Sequence, residues 1–156
     1  MKEIKLTQDR VVSVDDKDFD RLNQFRWCAH CDEQKWYAVR TVWINGKSKT
    51  IHMHREIADA PDDIQVDHKN GDGLDNQKQN LRLATNQQNK FNRNVQKNNK
   101  LGIKGVRWHK RGKKFCAQIG IGGKSLHLGS FSVLGDADSA YRIAEEKYFG
   151  EFARIQ

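Results

Sequence analysis

Ile64-Gln65-Val66-Asp67-His68, followed by Lys69-Asn70-Gly71-Asp72-Gly73-Leu74-Asp75-Asn76-Gln77-Lys78-Gln79 and then by Asn80-Leu81-Arg82-Leu83-Ala84-Thr85-Asn86-Gln87-Gln88-Asn89, is the stretch on which the reading of this chain turns. Its first part runs from apolar to acidic like a short strand, its middle is a polar loop loosened by Gly71 and Gly73, and Asn80 to Ala84 reads as a second strand. Thr85 with Gln88 three residues later has the spacing of a capping box and predicts a helix running to about Arg93. The order is strand, loop, strand, helix. Asp67 offers an anionic oxygen and Asn89 a neutral amide oxygen for a hard divalent ion, while His68 brings an imidazole that titrates near neutrality. Phosphodiester hydrolysis needs such a set: a base for water, a cation for the developing charge, and a group that orients the base. Successive residues of a strand point to opposite faces, so a site using both Asp67 and His68 is expected where the strand bends into the loop.

Upstream, residues 1 to about 52 alternate like short strands. Lys35 to Ile44 is rich in aromatic and β-branched types, and Asn45-Gly46 then supplies a hairpin turn into Lys49 to His52, predicting a small antiparallel sheet. A short helix-like stretch ends near Pro61. Downstream, Asn94 to Lys104 is polar and basic, as in a linker. Gly105 to Ala153 offers three strand candidates, Val106–His109, Phe115–Ile121 and Ser125–Leu128, divided by glycine turns. A helix follows, with Asp136 near its start, Gly150 at its stop, and Ala137, Ala140, Tyr141, Ala144 and Tyr148 as its core-facing stripe.

Charge separates the two parts. Lys90 to Ser125 contains eleven Lys and Arg and no Asp or Glu, whereas residues 1 to 89 hold fourteen basic and fifteen acidic side chains, so the formal net charge of +8 comes from the C-terminal part. A basic stretch beside a near-neutral one suits a polyanion, or else a solvated basic surface. The 156 residues allow one ordinary domain or two very small ones. No apolar run approaches the ~20 residues needed to span a bilayer, and the N-terminus lacks the apolar stretch of a signal peptide, so a cytoplasmic location without a membrane partner is expected. Cys28, Cys31 and Cys116 are too few for a disulfide framework. Cys28-Ala29-His30-Cys31 has the spacing of half a zinc site, which His52 and His54 can complete; the alternative is a pair of partly buried thiols near Trp27.

The run from Val66 to Asn89 resembles the HNH endonuclease family, in particular the phage and intron-encoded homing type, whose fold is a strand-strand-helix unit around one metal. The resemblance implies that Asp67 and Asn89 bind the metal, that His68 is the general base and that Asn80 orients its imidazole. The last of the three name-giving positions is Asn89 here instead of histidine, so it is no strong proton donor. His54-Arg55 is similar to a pair found upstream in this subgroup, with a structural or a phosphate-contacting role, and Arg93 on the helix is a phosphate contact or a solvated side chain.

Gly105-Val106-Arg107-Trp108, Phe115-Cys116-Ala117-Gln118-Ile119, Leu128-Gly129-Ser130-Phe131, Ala140-Tyr141 and Phe149-Gly150-Glu151-Phe152-Ala153 are together similar to the apetala and ethylene-response-factor DNA-binding domain. By that resemblance Arg107, His109, Gln118 and His127 stand where the family reads bases or phosphates, and Lys110 and Lys114 add charge to the same sheet. His127 replaces a usual tryptophan and Gly120 a common arginine, so sequence preference does not carry over. Trp108 belongs to core or rim packing, or to a base-stacking platform.

The sequence therefore predicts an α+β protein. Residues 1–94 form an HNH nuclease domain with a ββα-metal core at about 64–93, preceded by a short antiparallel sheet. A basic linker spans 95–101, and residues 102–156 form a three-stranded antiparallel sheet packed on one helix. The expected activity is homing-type cleavage of double-stranded DNA, with nicking as one form of it, using one Mg²⁺ or Mn²⁺ ion and no organic cofactor. A catalytically inactive DNA-binding regulator is the alternative. An RNA-binding protein is a third, but it calls for exposed stacking aromatics that the last block does not clearly offer.

Overall fold

Alternating short strands and helices give the protein a mixed α+β fold of small antiparallel sheets, seen in a computed structural model that describes residues 1–32, 35–92, 95 and 99–153. The chain divides into two units, Met1–Asn89 and Lys90–Gln156. In the first, β1 (Lys2–Lys5) and β2 (Val11–Val14) form a hairpin in which Ile4 faces Val12. Helix α1 (Asp16–Asn23) follows. Strands alone were expected before residue 52, and α1 corrects this. Its signals are local: Phe19 and Leu22 lie three apart on one face, Asp16 and Asp18 sit in the first turn, and Arg21 sits in the last, where each charge suits the helix dipole. Leu22 is fully buried, and the Trp27 indole donates to its carbonyl at 2.8 Å, which ties off the helix end.

Strands β3 (Cys28–Asp32), β4 (Lys35–Ile44) and β5 (Lys47–His52) make the second sheet, in the order β3-β4-β5. Asn45 and Gly46 both take positive φ, 51° and 74°, as a two-residue hairpin turn requires. Cys28 and Cys31 are exposed and not the partly buried thiols expected. Three positions apart on a strand, they face opposite sides of the sheet.

Helix α2 (Met53–Ala58) buries Met53, His54 and Ile57 and stops at Asp59, whose φ is 48°. Arg55 then donates to the carbonyls of Ile64 at 2.7 Å, Ala60 at 3.3 Å and Pro61 at 2.6 Å, so its role is to hold the loop that leads into the next strand. Strands β6 (Gln65–His68) and β7 (Leu81–Ala84) pair antiparallel, and α3 (Asn86–Phe91) follows. The capping box is formed: Gln88 N–H donates to Thr85 Oγ1 at 3.2 Å and Thr85 N–H to Gln88 Oε1 at 2.8 Å. Ile4, Val12, Leu22, Trp27, Met53, Val66 and Leu81 meet in one apolar core, so the β6–β7 hairpin packs on the same core as the N-terminal hairpin and the first two helices.

In the second unit β8 (Val106–His109), β9 (Lys114–Ile121) and β10 (Lys124–Phe131) form a sheet in the order β10-β9-β8. Alternation sends Val106, Ala117 and Ile119 to one face, where α4 (Leu134–Phe149) covers them with Ala137, Tyr141, Ala144 and Phe149. Tyr148, read as part of that stripe, is exposed, and Phe149 takes the core position, stacked on Phe91 with ring centroids 3.8 Å apart. Phe149 is the last residue of α4, and its contact with Phe91, not helix periodicity, places it in the core.

Gly105 shows how closely sheet and helix approach. Its φ is +71°, and a Cβ there would lie 2.0 Å from the Tyr141 ring and 2.6 Å from the Gln118 carbonyl. Gly105→Ala is expected to destabilise the second unit by roughly 2 to 4 kcal/mol through overpacking and positive-φ strain. Urea unfolding checks this, with Gly120→Ala as the control, since nothing lies within 4 Å of a Cβ at Gly120.

Candidate active site

The β6–β7 hairpin places Asp67 across from Arg82 and His68 across from Leu81, so the strand stays regular to its last residue, His68. The loop from Lys69 to Asn80 is fixed chiefly by one side chain. Asn80 Nδ2 donates to the Asp75 carbonyl at 2.7 Å and to Asn70 Oδ1 at 3.1 Å, while Asn80 Oδ1 accepts the Asn70 N–H at 3.1 Å. Both ends of the Asn80 amide are thus bound within the loop, and Asn80 reaches the imidazole only through it. Asp72 and Asp75 close smaller turns onto Leu74 and Gln77. The far side of the loop joins β2: Ser13 N–H donates to Leu74 O at 2.9 Å, and Asn76 N–H to Ser13 O at 2.8 Å. Gly73 lies against β4, where a Cβ would be 2.3 Å from the Trp36 carbonyl and 2.6 Å from the Tyr37 ring.

The partner of the His68 ring is Asn76, a loop residue to which the sequence assigned no role. Asn76 is fully buried, and its Oδ1 stands 2.8 Å from His68 Nε2. An amide oxygen only accepts, so Nε2 carries the hydrogen and Nδ1 the lone pair of the neutral ring. Asn76 Nδ2 is buried with no hydrogen-bond partner among the described residues. Such an orphan donor costs about 1 to 3 kcal/mol, a sign that this amide is held for something other than stability.

Behind His68 lies an aromatic cluster that spacing alone did not reveal. The rings of His54 and His68 are 5.0 Å apart, those of His52 and His54 5.2 Å, and Tyr37 lies 5.6 Å from His54 and 6.0 Å from His68. Burial lowers the pKa of His68, against the opposing effects of the Asn76 hydrogen bond and the Asp67 carboxylate. Burial also pushes His54 down to about 3, with the positive charges of His68, His52 and Arg55 adding to it. Burial lowers His52 as well. All three rings are neutral at pH 7. In the sequence the only signal was chemical: three histidines in a region otherwise rich in strand formers.

Asp67 is only 4% exposed, and its Oδ2 accepts from Arg82 Nε at 2.9 Å and Nη2 at 2.6 Å. Asn89 on α3 donates from Nδ2 to Gln65 Oε1 at 2.6 Å. Gln65 and Asp67 alternate with Val66, so both face one side of β6, and the bond to Gln65 brings Asn89 to that side. His68 faces the other side, with Asn76 and His54.

The HNH endonuclease family model matches residues 59–91, the segment that holds β6, the loop, β7 and α3. An uncharacterised HNH endonuclease of Acanthamoeba polyphaga mimivirus is 32% identical over 126 residues, covering 76% of this chain and 65% of that protein's own length. Protein 3.8 of Escherichia phage T7 is 31% identical over 113 residues, 69% of this chain and 93% of the relative. The segment 59–91 is thus similar to HNH endonucleases. HNH endonucleases typically depend on a divalent metal; the side-chain oxygens of Asp67 and Asn89 are hard donors of the type Mg²⁺ takes, and here Asp67 Oδ2 is engaged by Arg82. Among the described residues no group of three or more His, Cys, Asp or Glu is arranged to hold a metal, so Cys28 and Cys31 belong to none.

The second unit presents a polar face of its own. Arg107, His109, Lys114 and Gln118 alternate with the buried residues of β8 and β9 and so lie on the side of the sheet away from α4, and His127 stands directly across from Gln118. Lys110 is exposed in the β8–β9 turn. His109 Nδ1 accepts the Gly112 N–H at 3.0 Å, which shapes that turn. Trp108 lies on the helix side, its ring 4.7 Å from Phe115 and partly exposed, as rim packing. Arg93 lies outside the described residues. No helix among the described residues is long and apolar enough to cross a membrane.

His54 generates a test of the cluster. The unfolded chain takes up a proton near 6.5 and the folded ring only near 3, so the stability contribution is present above 6.5 and is lost as pH falls through that window. The first unit is expected to lose on the order of 2 kcal/mol between pH 6.5 and 4.5. Urea midpoints measured across this range check it; His54→Phe flattens the dependence, and a flat wild-type curve contradicts it.

Proposed function

We propose that this protein is a site-directed DNA endonuclease of the homing type, with the first unit hydrolysing the phosphodiester and the second reading double-stranded DNA. The observation that carries this is the neutral, buried His68 whose Nε2–H is tied to Asn76 at 2.8 Å, next in the chain to Asp67, whose carboxylate is buried on the other face of β6. In this reading Nδ1 of His68 takes a proton from water, the water oxygen attacks phosphorus, and the bond from phosphorus to the 3′ oxygen breaks. Asp67 and Asn89 would hold one Mg²⁺ or Mn²⁺ ion, which when bound supplies positive charge at the phosphate and the departing oxygen. Asn76 positions the imidazole, and Asn80 acts one step further out by holding the loop. The ββα-metal arrangement of β6, β7 and α3 is the corresponding fold assignment.

The second unit is proposed to bind as an apetala or ethylene-response-factor-like sheet, with Arg107, Gln118 and His127 toward base edges and His109, Lys110 and Lys114 toward phosphates. Arginine suits guanine and glutamine suits adenine in the major groove, and the acid-free run from Lys90 to Ser125 supports a polyanion partner. One centre cuts one phosphodiester per engagement, so nicking is the simplest outcome for a monomer. A second reading, a DNA-binding regulator without catalysis, draws on the two hydrogen bonds from Arg82 that already neutralise Asp67.

Supercoiled plasmids carrying a pool of inserts, incubated with the protein and Mg²⁺ or Mn²⁺, decide between them. Nicking is expected, abolished by chelator and reduced by about 10² to 10⁴ in His68→Ala, with Asn76→Ala intermediate. Tight binding of the same DNA without metal-dependent cleavage would leave the regulator as the function.

A further inference from the structure

Beyond Val39, whose partner on β3 is Cys28, the β4 strand continues to Ile44 paired with β5 alone. The result is a two-stranded ribbon roughly 14 Å long, four steps at about 3.4 Å each. Its root is anchored: Arg40 bonds Glu56 at 3.1 Å and lies over the Phe25 ring at 4.0 Å. Its tip is rigid, because Asn45-Gly46 makes a two-residue turn. Cross-strand pairing fixes the faces. Val42 stands across from Lys49 and Ile44 across from Lys47, so two lysines and two apolar side chains share one side; Trp43 stands across from Ser48 on the other.

Trp43 is 75% exposed, the most exposed large hydrophobic side chain among those described, and Ile44 is 51% exposed. A folded domain has no structural use for a tryptophan at the end of a projecting ribbon, since the side chain buries nothing there. From Lys35 to Arg55 the sequence contains no Asp or Glu, although the first unit as a whole is near neutral. The ribbon is therefore a local positive projection with an apolar tip.

We propose that this ribbon is a second DNA-binding element, which enters the major groove of the duplex that the first unit cuts. The proposal rests on the DNA endonuclease reading above. The major groove, about 12 Å wide and 8.5 Å deep, admits a two-stranded ribbon, and both faces of the ribbon then meet groove walls. Lys47 and Lys49 neutralise phosphates at the rim, while Trp43 and Ile44 lie on apolar base-edge and sugar surface. A second copy of this chain is the rival occupant. Pairing two ribbons edge to edge would set the lysines of one against those of the other, and lysine on an edge strand works against such pairing. The ribbon adds a DNA-binding element to the first unit.

The test uses the full chain and a fluorescein-labelled pool of duplex DNA, with affinity measured by anisotropy over a series of salt concentrations. Lys47→Gln/Lys49→Gln should reduce the slope of log affinity against log salt by nearly two, about 0.9 for each phosphate that is no longer neutralised. Trp43→Ala should weaken binding about tenfold with little change of slope. Lys17→Gln, an exposed lysine on α1, should change neither. All these side chains are exposed, so folding is not at stake. Wild-type affinity and slope in the ribbon variants would overturn the proposal while leaving the endonuclease reading in place. A wild-type protein that is dimeric in solution and becomes monomeric in Trp43→Ala would overturn it in favour of the second copy, and ribbon-dependent binding of single-stranded RNA but not duplex DNA would overturn it in favour of RNA. If the wild-type protein binds no duplex DNA at any salt concentration, the functional reading falls and the ribbon with it.

Discussion

An irregular loop between two short strands has no ladder of backbone bonds to hold it, and the histidine at its base can keep one orientation only if something else does. The amide of Asn80 answers this constraint with three hydrogen bonds into the loop, and Asn76, positioned by the same loop, reaches back to His68. Each such bond is worth only about 1 kcal/mol net, so the arrangement depends on their acting together and on the core beneath. That core is made by elements distant in sequence. Val66 and Leu81 from the hairpin pack with Val12, Leu22 and Met53, so the geometry of His68 depends on the whole first unit.

The electrostatics of the site follow from the same burial. Three imidazoles and a tyrosine ring share a small volume, and desolvation keeps the imidazoles uncharged, with their mutual proximity acting in the same direction on His54. On the opposite side of β6 lies the charge pair of Asp67 and Arg82. One strand of four residues thus separates a neutral face from an ionic one by the alternation of its side chains. The roles proposed for His68, a base that accepts a proton, and for Asp67, an oxygen that attracts a cation, ask for different surroundings, and adjacent residues have them here.

Much of this was legible in the sequence where the signal is local. The two strands around the loop, the capping box at Thr85 and Gln88, the Asn45-Gly46 turn, and three strands and a helix in the second unit all have short-range causes. The features that were not legible depend on tertiary packing. Helix α1 sits among alternating residues and was hidden by its many charges, although Asp16, Phe19 and Leu22 were signals enough. The choice of Asn76 over Asn80 as the direct partner of His68 is decided by how the loop folds, which spacing cannot tell. The cluster of His52, His54 and Tyr37 comes from three different elements. The shift from Tyr148 to Phe149 in the core of the second unit comes from the contact of Phe149 with Phe91, which helix periodicity does not foretell.

The bridge between Ser13 and Asp75 has a further meaning. Through it one residue of the loop pairs with the N-terminal hairpin, and the main chain of β2 supplies the two hydrogen bonds on either side of Asp75, to Leu74 O and from Asn76 N–H. The segment that matches the family is therefore not a portable cassette. Its geometry is held by residues far earlier in the chain, so transplanting residues 59–91 into another scaffold would carry the side chains across and leave behind the backbone that aims them.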